Sequence, residues 1–235
     1  MNRRIDPLGK ALIKFYETGE EQKIKVYSKD VEPEEYRASY FFRTYSEMPE
    51  QEKRALKLCK GKVLDVGAGA GCHSLYLEEK GFDVTSIDTS PGCIEVMHAQ
   101  GVENAQLRDI MDVKGKFDTI LLLMNGIGLA GKLHNVSNFL QHLKGLLNPG
   151  GQILADSSNI FHLYEELDGN ELLELGKDYL GEIQFQFGYG KERSTWFSWL
   201  YLDDKTFREM AILNDFDFEL LFKSLDNAYL ARLGV

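Results

Sequence analysis

Three aspartates stand at or near the ends of short apolar runs in this 235-residue chain: Asp65 in VLDVGAGAG, Asp88 in DVTSIDTS and Asp109 in NAQLRDIMD. Val63, Leu64 and Val66 suit a buried strand, and glycine breaks the run too soon for a helix. Gly67, Ala68, Gly69 and Gly71 then form a loop whose glycines permit positive φ and close approach by another group. A helical pattern opens at Cys72 and stops at Gly81. Strand, glycine loop and helix make the opening unit of a nucleotide-binding α/β fold.

The glycine spacing separates possible ligands of such a loop. A dinucleotide fingerprint, G-x-G-x-x-G, requires glycine where Cys72 stands. A carboxylate two residues ahead of Gly67 also repels a pyrophosphate and attracts an ammonium group. A nucleoside carrying an amino-acid tail satisfies both conditions, and S-adenosylmethionine is the common cofactor of that description. From these residues onward the chain resembles the class I S-adenosylmethionine-dependent methyltransferases, in register over roughly 60–160. The resemblance implies that Asp65 serves the methionine amino group and that the loop from Gly67 to Gly71 passes beneath the cofactor. It assigns Asp88, seventeen residues after Gly71, to the ribose hydroxyls, with Thr89, Ser90 and Pro91 forming the cap and first turn of the next helix. Asp109 would accept the adenine amino group and Ile110 supply a backbone amide, with Asp112 as the competing carboxylate. FDTILLLMN at 117–125 resembles the fourth strand and the turn facing the reacting sulfur, which places Met124 and Asn125 at the cofactor. LLNPGGQILADS at 146–157 matches the family's helix end, Pro-Gly-Gly turn and fifth strand.

The elements that must position these groups follow from pattern and resemblance together. The expected fold is α/β, a doubly wound, mostly parallel seven-stranded sheet with an antiparallel last strand, an N-terminal helical lid and an inserted β-hairpin. The chain is read as one domain over 1–235: a lid at 1–60, a cofactor-binding core at 61–160, and substrate-side additions with closing strands at 161–235. In the lid, DPLGKALIKFYE, VEPEEYRASYFFRTY and PEQEKRALKLC each have apolar spacing for a helix. The second holds Arg43, placed to meet the methionine carboxylate with a bidentate fork, and Tyr45, placed near the methyl group. The competing reading is an amphipathic helix with aromatics in the core and Arg43 in water. Residues 160–176 read as helical, 182–202 as a hairpin, and 203–214 as a helix capped by Asp203 or Asp204. Tyr189, Trp196, Trp199 and Tyr201 in the hairpin either wall an acceptor pocket or serve cross-strand packing.

Composition narrows the partners. A net charge of −10 removes whole-molecule attraction for nucleic acid. The acidic excess is concentrated in 151–235, which reads first as a solvated acidic face and otherwise as suiting a neutral or cationic small-molecule acceptor. No apolar run approaches a membrane span, and MNRRIDPLGK lacks a signal peptide's apolar segment, so a cytoplasmic location is expected. Cys59, Cys72 and Cys93 are not spaced for a metal and read as reduced thiols. No metal site is expected. Asn125, Asp156, Ser157, His134 and His162 are candidate bases, and none is assigned, because methyl transfer requires alignment more than proton removal. Two rival readings remain at this level: a nicotinamide-dependent oxidoreductase, and a noncatalytic protein that binds S-adenosylmethionine or its product S-adenosylhomocysteine.

Overall fold

The structure is a computed structural model and describes residues 5–166, 168 and 175–235. Helix α1 (Pro7–Thr18) is opened by Asp6, whose carboxylate accepts from the Gly9 amide, and is closed by Gly19 at φ 68°. Strands β1 (Lys23–Ser28) and β2 (Glu34–Arg37) follow, then helix α2 (Glu50–Leu58). The core runs β3 (Val63–Val66), α3 (Cys72–Glu79), β4 (Val84–Asp88), α4 (Pro91–Gln100), β5 (Ala105–Leu107), β6 (Phe117–Leu122), α5 (Val136–Leu146) and β7 (Leu147–Ser158). Strands β8 (Glu182–Tyr189), β9 (Glu192–Arg193) and β10 (Phe197–Leu200) lead to α6 (Asp204–Leu213), and β11 (Asp217–Lys223) and β12 (Ala228–Gly234) end the chain.

The large sheet has the order β11-β12-β7-β6-β3-β4-β5. Strands β3 to β7 are parallel, and β12 runs antiparallel between β7 and β11. The expected seven-stranded α/β sheet is therefore present. Its alternation decides what faces what. Leu64, Val66, Ile120 and Leu122 join Phe139, Leu140 and Leu143 of α5 in one core. Val63, Leu121 and Leu123 join Ala55 and Leu56 of α2 and Leu77 of α3 in the other. Asp65 alternates with Leu64 and Val66, so it lies on the α2 and α3 side. The strand order reverses between β3 and β6, and in such sheets the crevice at the carboxyl ends there is the ligand site.

A second, antiparallel sheet, β10-β8-β1-β2 with β9 on β8, differs from expectation. VEPEEYRASYFFRTY is not a helix. It forms β2 and two 3₁₀ turns, Ala38–Phe42 and Tyr45–Glu47. In KIKVYS, Ile24 and Val26 alternate inward and pair through β1 with both β2 and β8. The inserted hairpin is thus one half of a sheet completed by the supposed helical lid. Hydrogen bonds from β2 to β1, which is itself held by β8, and cross-strand packing outweigh the local 3.6-residue pattern. Of the helix expected over 160–176, Phe161–Tyr164 is a 3₁₀ turn, while 167 and 169–174 lie outside the described residues. Asp203 caps α6, accepting from the amides of Lys205 and Thr206.

Helix α1 closes over the core where two glycines meet. A Cβ on Gly92 would lie 2.5 Å from the Gly9 Cα, so only glycine lets α1 and α4 approach this closely. Asp6 ties the two helices together, accepting from the Ser90 hydroxyl at 2.7 Å and the Gly92 amide at 3.0 Å.

Candidate active site

A cavity of about 790 Å³ opens at the reversal point between the two sheets. Its floor contains Asp65, Gly67, Ala68, Gly69, Asp88, Thr89, Asp109, Ile110, Met124 and Asn125. Gly71 does not reach it. A Cβ there would press on Met97 and Val102 at 2.9 Å, so Gly71 serves the packing of α3 on α4. Asp112, the alternative to Asp109, is not on the cavity wall.

Each floor carboxylate is held differently. Asp65 is buried and accepts from the Ser74 hydroxyl at 2.6 Å, and burial pushes its pKa above the ordinary carboxylate value. Among the described residues no lysine or arginine pairs with it, and a buried carboxylate lining a cavity is chemically suited to a ligand ammonium. Asp88 accepts from the Gly69 amide at 3.0 Å and the Ser90 amide at 2.8 Å, and burial raises it to about 6. It therefore shapes the glycine loop and holds Ser90, the N-cap of α4, while lining the cavity. Asp109 is exposed and accepts from the Met111 amide at 3.0 Å.

The turn after β6 carries the clearest backbone signal. Met124 and Asn125 both have φ 59°, a conformation that costs non-glycine residues energy and is held here by tertiary bonds. Asp156 accepts from both amides, Asn125 at 2.6 Å and Met124 at 3.2 Å, and burial followed by the Glu52 charge raises Asp156 to about 7. Asn125 in turn accepts from the Ser157 hydroxyl at 2.6 Å and donates to the Leu200 carbonyl at 3.2 Å. Among the base candidates, Asn125, Asp156 and Ser157 line the cavity, whereas His134 and His162 do not.

Arg43 departs from its expected place. Its Nη2 donates to both oxygens of buried Glu52, at 2.7 and 2.6 Å, and Nη1 donates to the Tyr40 carbonyl. It lies behind the wall, with Glu52 and Tyr40 between it and the cavity. His73 Nε2 meets Glu52 at 2.7 Å. Burial alone would raise Glu52, yet His73 and Arg43 override it and hold the carboxyl below its ordinary value. Cys72 lines the cavity as a thiol, pushed up to about 12 by burial.

Of the aromatic candidates, Trp199 and Tyr201 line the cavity. The Trp199 ring crosses Gly128 so closely that a Cβ there would meet its Nε1 at 2.2 Å. Tyr45 stacks on Tyr76 at 4.3 Å, Tyr189 donates to Gln22, and Trp196 sits beneath Lys29, all away from the wall. Sequence reasoning missed Glu34, Tyr36, Phe185 and Phe187, which line the roof. The alternation of Phe185 and Phe187 in EIQFQFGY was the available signal for two of them. Among the described residues, no group of three or more His, Cys, Asp or Glu side chains could hold a metal ion, and no helix is long and apolar enough to cross a membrane.

Comparison with known proteins agrees with this geometry. A family profile described as a methyltransferase domain matches residues 34–221. A crystal structure of an S-adenosylmethionine-dependent methyltransferase from Bacteroides fragilis, in complex with S-adenosyl-L-homocysteine, superposes with a TM-score of 0.90 at 40% identity. The match covers 98% of this chain and 94% of that one. Glycine/sarcosine N-methyltransferase of Parasynechococcus marenigrum (strain WH8102) is 32% identical over 49% of this chain and 43% of its own length. Ubiquinone biosynthesis O-methyltransferase of Azorhizobium caulinodans is 26% identical over 46% and 45%. The chain spans about half the length of the curated relatives it matches. The buried Asp65 beside the glycine loop, the reversal-point cavity, the matched profile and the near-complete superposition establish that this chain belongs to the S-adenosylmethionine-dependent methyltransferase family.

Proposed function

We propose that the whole chain acts as one cytoplasmic methyltransferase domain that moves a methyl group from S-adenosylmethionine to a small molecule held under the second sheet. The carrying observation is Asp65: a buried carboxylate, raised by desolvation, in the same cavity as Asp88 and Asp109. These residues fit the cofactor. Asp65 would hold its ammonium group, Asp88 its ribose hydroxyls, and Asp109 with the Ile110 amide its adenine. Met124 and Asn125 would present their turn to its sulfur side.

When bound, the cofactor supplies an electrophilic methyl group on a sulfonium. The chain's own work is alignment and exclusion of water. Asp156 fixes the Met124–Asn125 turn through both amides, and Ser157 and Leu200 fix the Asn125 side chain, so the turn is coupled to β7 and β10. Helix α1, anchored by Asp6 and the Gly9–Gly92 contact, closes one side of the cavity with Ile5, Asp6, Pro7 and Leu8. Three free, buried cysteines accord with a reducing compartment.

Calorimetric titration with S-adenosylmethionine, S-adenosylhomocysteine and NADH tests the reading. Binding of the first two with no NADH binding is expected. NADH binding in the absence of the others would overturn it.

A further inference from the structure

The roof of the cavity has a chemistry that the cofactor does not use. Antiparallel partners share a face, and the register Glu34↔Val26↔Phe187 across β2, β1 and β8 sets these three side chains on the cavity face of the sheet, with Glu34 at its solvent-exposed edge. Phe185 and Phe197 form the neighbouring pair, with rings 6.4 Å apart, and Trp199 packs edge-on to Phe197. Glu34 therefore brings a carboxylate to a ring-lined wall that also carries Tyr36, Ser194, Thr195 and Ser198. Its neighbour Glu35 faces outward and pairs with Lys23 at 2.7 Å, whereas Glu34 accepts from the Tyr36 hydroxyl at 2.8 Å. Among the described residues that line the cavity, Arg108 is the one lysine or arginine, and it adjoins Asp109 at the β5 end. Among the described residues, a carboxylate or phosphate on the acceptor would find no lysine or arginine beneath the roof. An ammonium group would find Glu34, with aromatic faces that also attract cations.

We propose, on the basis of the methyltransferase reading above, that the acceptor is an amine on an apolar, ring-bearing body, with Glu34 as its counter-charge and Phe185, Phe187, Phe197 and Trp199 as the seat of the body. The amine enters protonated and gives one proton to Asp156, which lines the same cavity at the Met124–Asn125 turn. Its freed lone pair forms the N–C bond to the methyl carbon. The carbon–sulfur bond breaks with its electron pair left on sulfur, and the methylated ammonium loses its second proton to water. Glu34 is a positioning residue and does not take part in bond making.

The test compares 2-phenylethylamine, 2-phenylethanol and phenylacetate, three molecules of one shape and different charge. Binding is measured calorimetrically on the protein with and without saturating S-adenosylhomocysteine, and labelled-methyl transfer is followed in parallel. The amine is expected to bind at least about tenfold more tightly than the other two and to be the one methylated. Glu34→Gln should erase that margin by raising the amine's Kd and KM, leaving phenylethanol and S-adenosylhomocysteine binding unchanged. Preference for the alcohol or the acid, binding of none of the three, or an unchanged amine-to-alcohol ratio in Glu34→Gln would overturn the proposal. If Glu34 merely guards the exposed edge of β2, the variant would change aggregation and leave that ratio intact. Failure of S-adenosylhomocysteine to bind would refute the cofactor reading separately, and the ligand-free titrations would still score the roof.

Discussion

Replacing Asp65 with asparagine separates cofactor recognition from folding, because the two respond with opposite sign. The carboxylate is 2% exposed, and its raised pKa means that burial disfavours the charge in the ligand-free protein. A group whose folded pKa is raised contributes stability below its unfolded pKa and loses it as pH rises through the folded one. At neutral pH the Asp65 charge is therefore destabilising. The Asp65→Asn substitution removes that charge and keeps an oxygen that accepts from the Ser74 hydroxyl, so the ligand-free Tm should hold or rise. Cofactor binding should move the other way. Loss of one charge-assisted hydrogen bond to an ammonium costs about 1.5–3 kcal/mol, or roughly 10- to 150-fold in Kd. 5′-Methylthioadenosine carries the nucleoside and lacks the amino-acid tail, so its affinity should not change. Calorimetry with both ligands, beside a melting curve, decides the matter. Equal losses for both ligands, or a Tm that falls with affinity, would refute the assignment of Asp65 to the ammonium.

The remaining predictions concern pH and the seat of α1. Asp88 and Asp156 are raised to about 6 and about 7, so the ligand-free Tm should fall as pH rises from 5 to 8, while S-adenosylhomocysteine affinity improves as Asp88 ionises and can accept from ribose. Melting curves and titrations across that range check both signs, and a Tm that climbs through pH 6–7 would contradict them. Gly92→Ala sets two effects against each other: alanine gains up to about 1 kcal/mol of helix propensity, and forced overlap with the Gly9 backbone costs about 1–3 kcal/mol. The cost outweighs the gain over most of that range, so Tm should drop by about 2–4 °C for each net kcal/mol, and a rise would mean that α1 does not rest on α4.

The central reading was legible because it rests on local chemistry. An apolar strand, glycines that turned out at φ 70° and 58°, and acids near the ends of successive strands report a nucleotide-type cavity wherever they occur in order. Asp65 was informative because a carboxylate in that position has few uses. Gly71 shows the limit of the same logic, since its need for glycine came from Met97 and Val102, partners that no local pattern names. Arg43 shows it again. Its type suited a carboxylate partner, and the chain supplied one in Glu52, nine residues on but across a turn.

The lid region was misread for a different reason. Its 3.6-residue spacing over VEPEEYRASYFFRTY is real, yet a β-strand is settled by the neighbour that takes its hydrogen bonds: β2 in this stretch pairs with β1, and β1 is held on its other side by β8, some 160 residues later. That pairing turns an apparent lid and an apparent hairpin into one roof, and carries Glu34, Phe185 and Phe187 to a single face. Local residue types were enough for the identity of the cofactor site, because each group there acts near the element that bears it. The acceptor chamber depends on side chains brought together by long-range strand register, which appears only when the chain is folded.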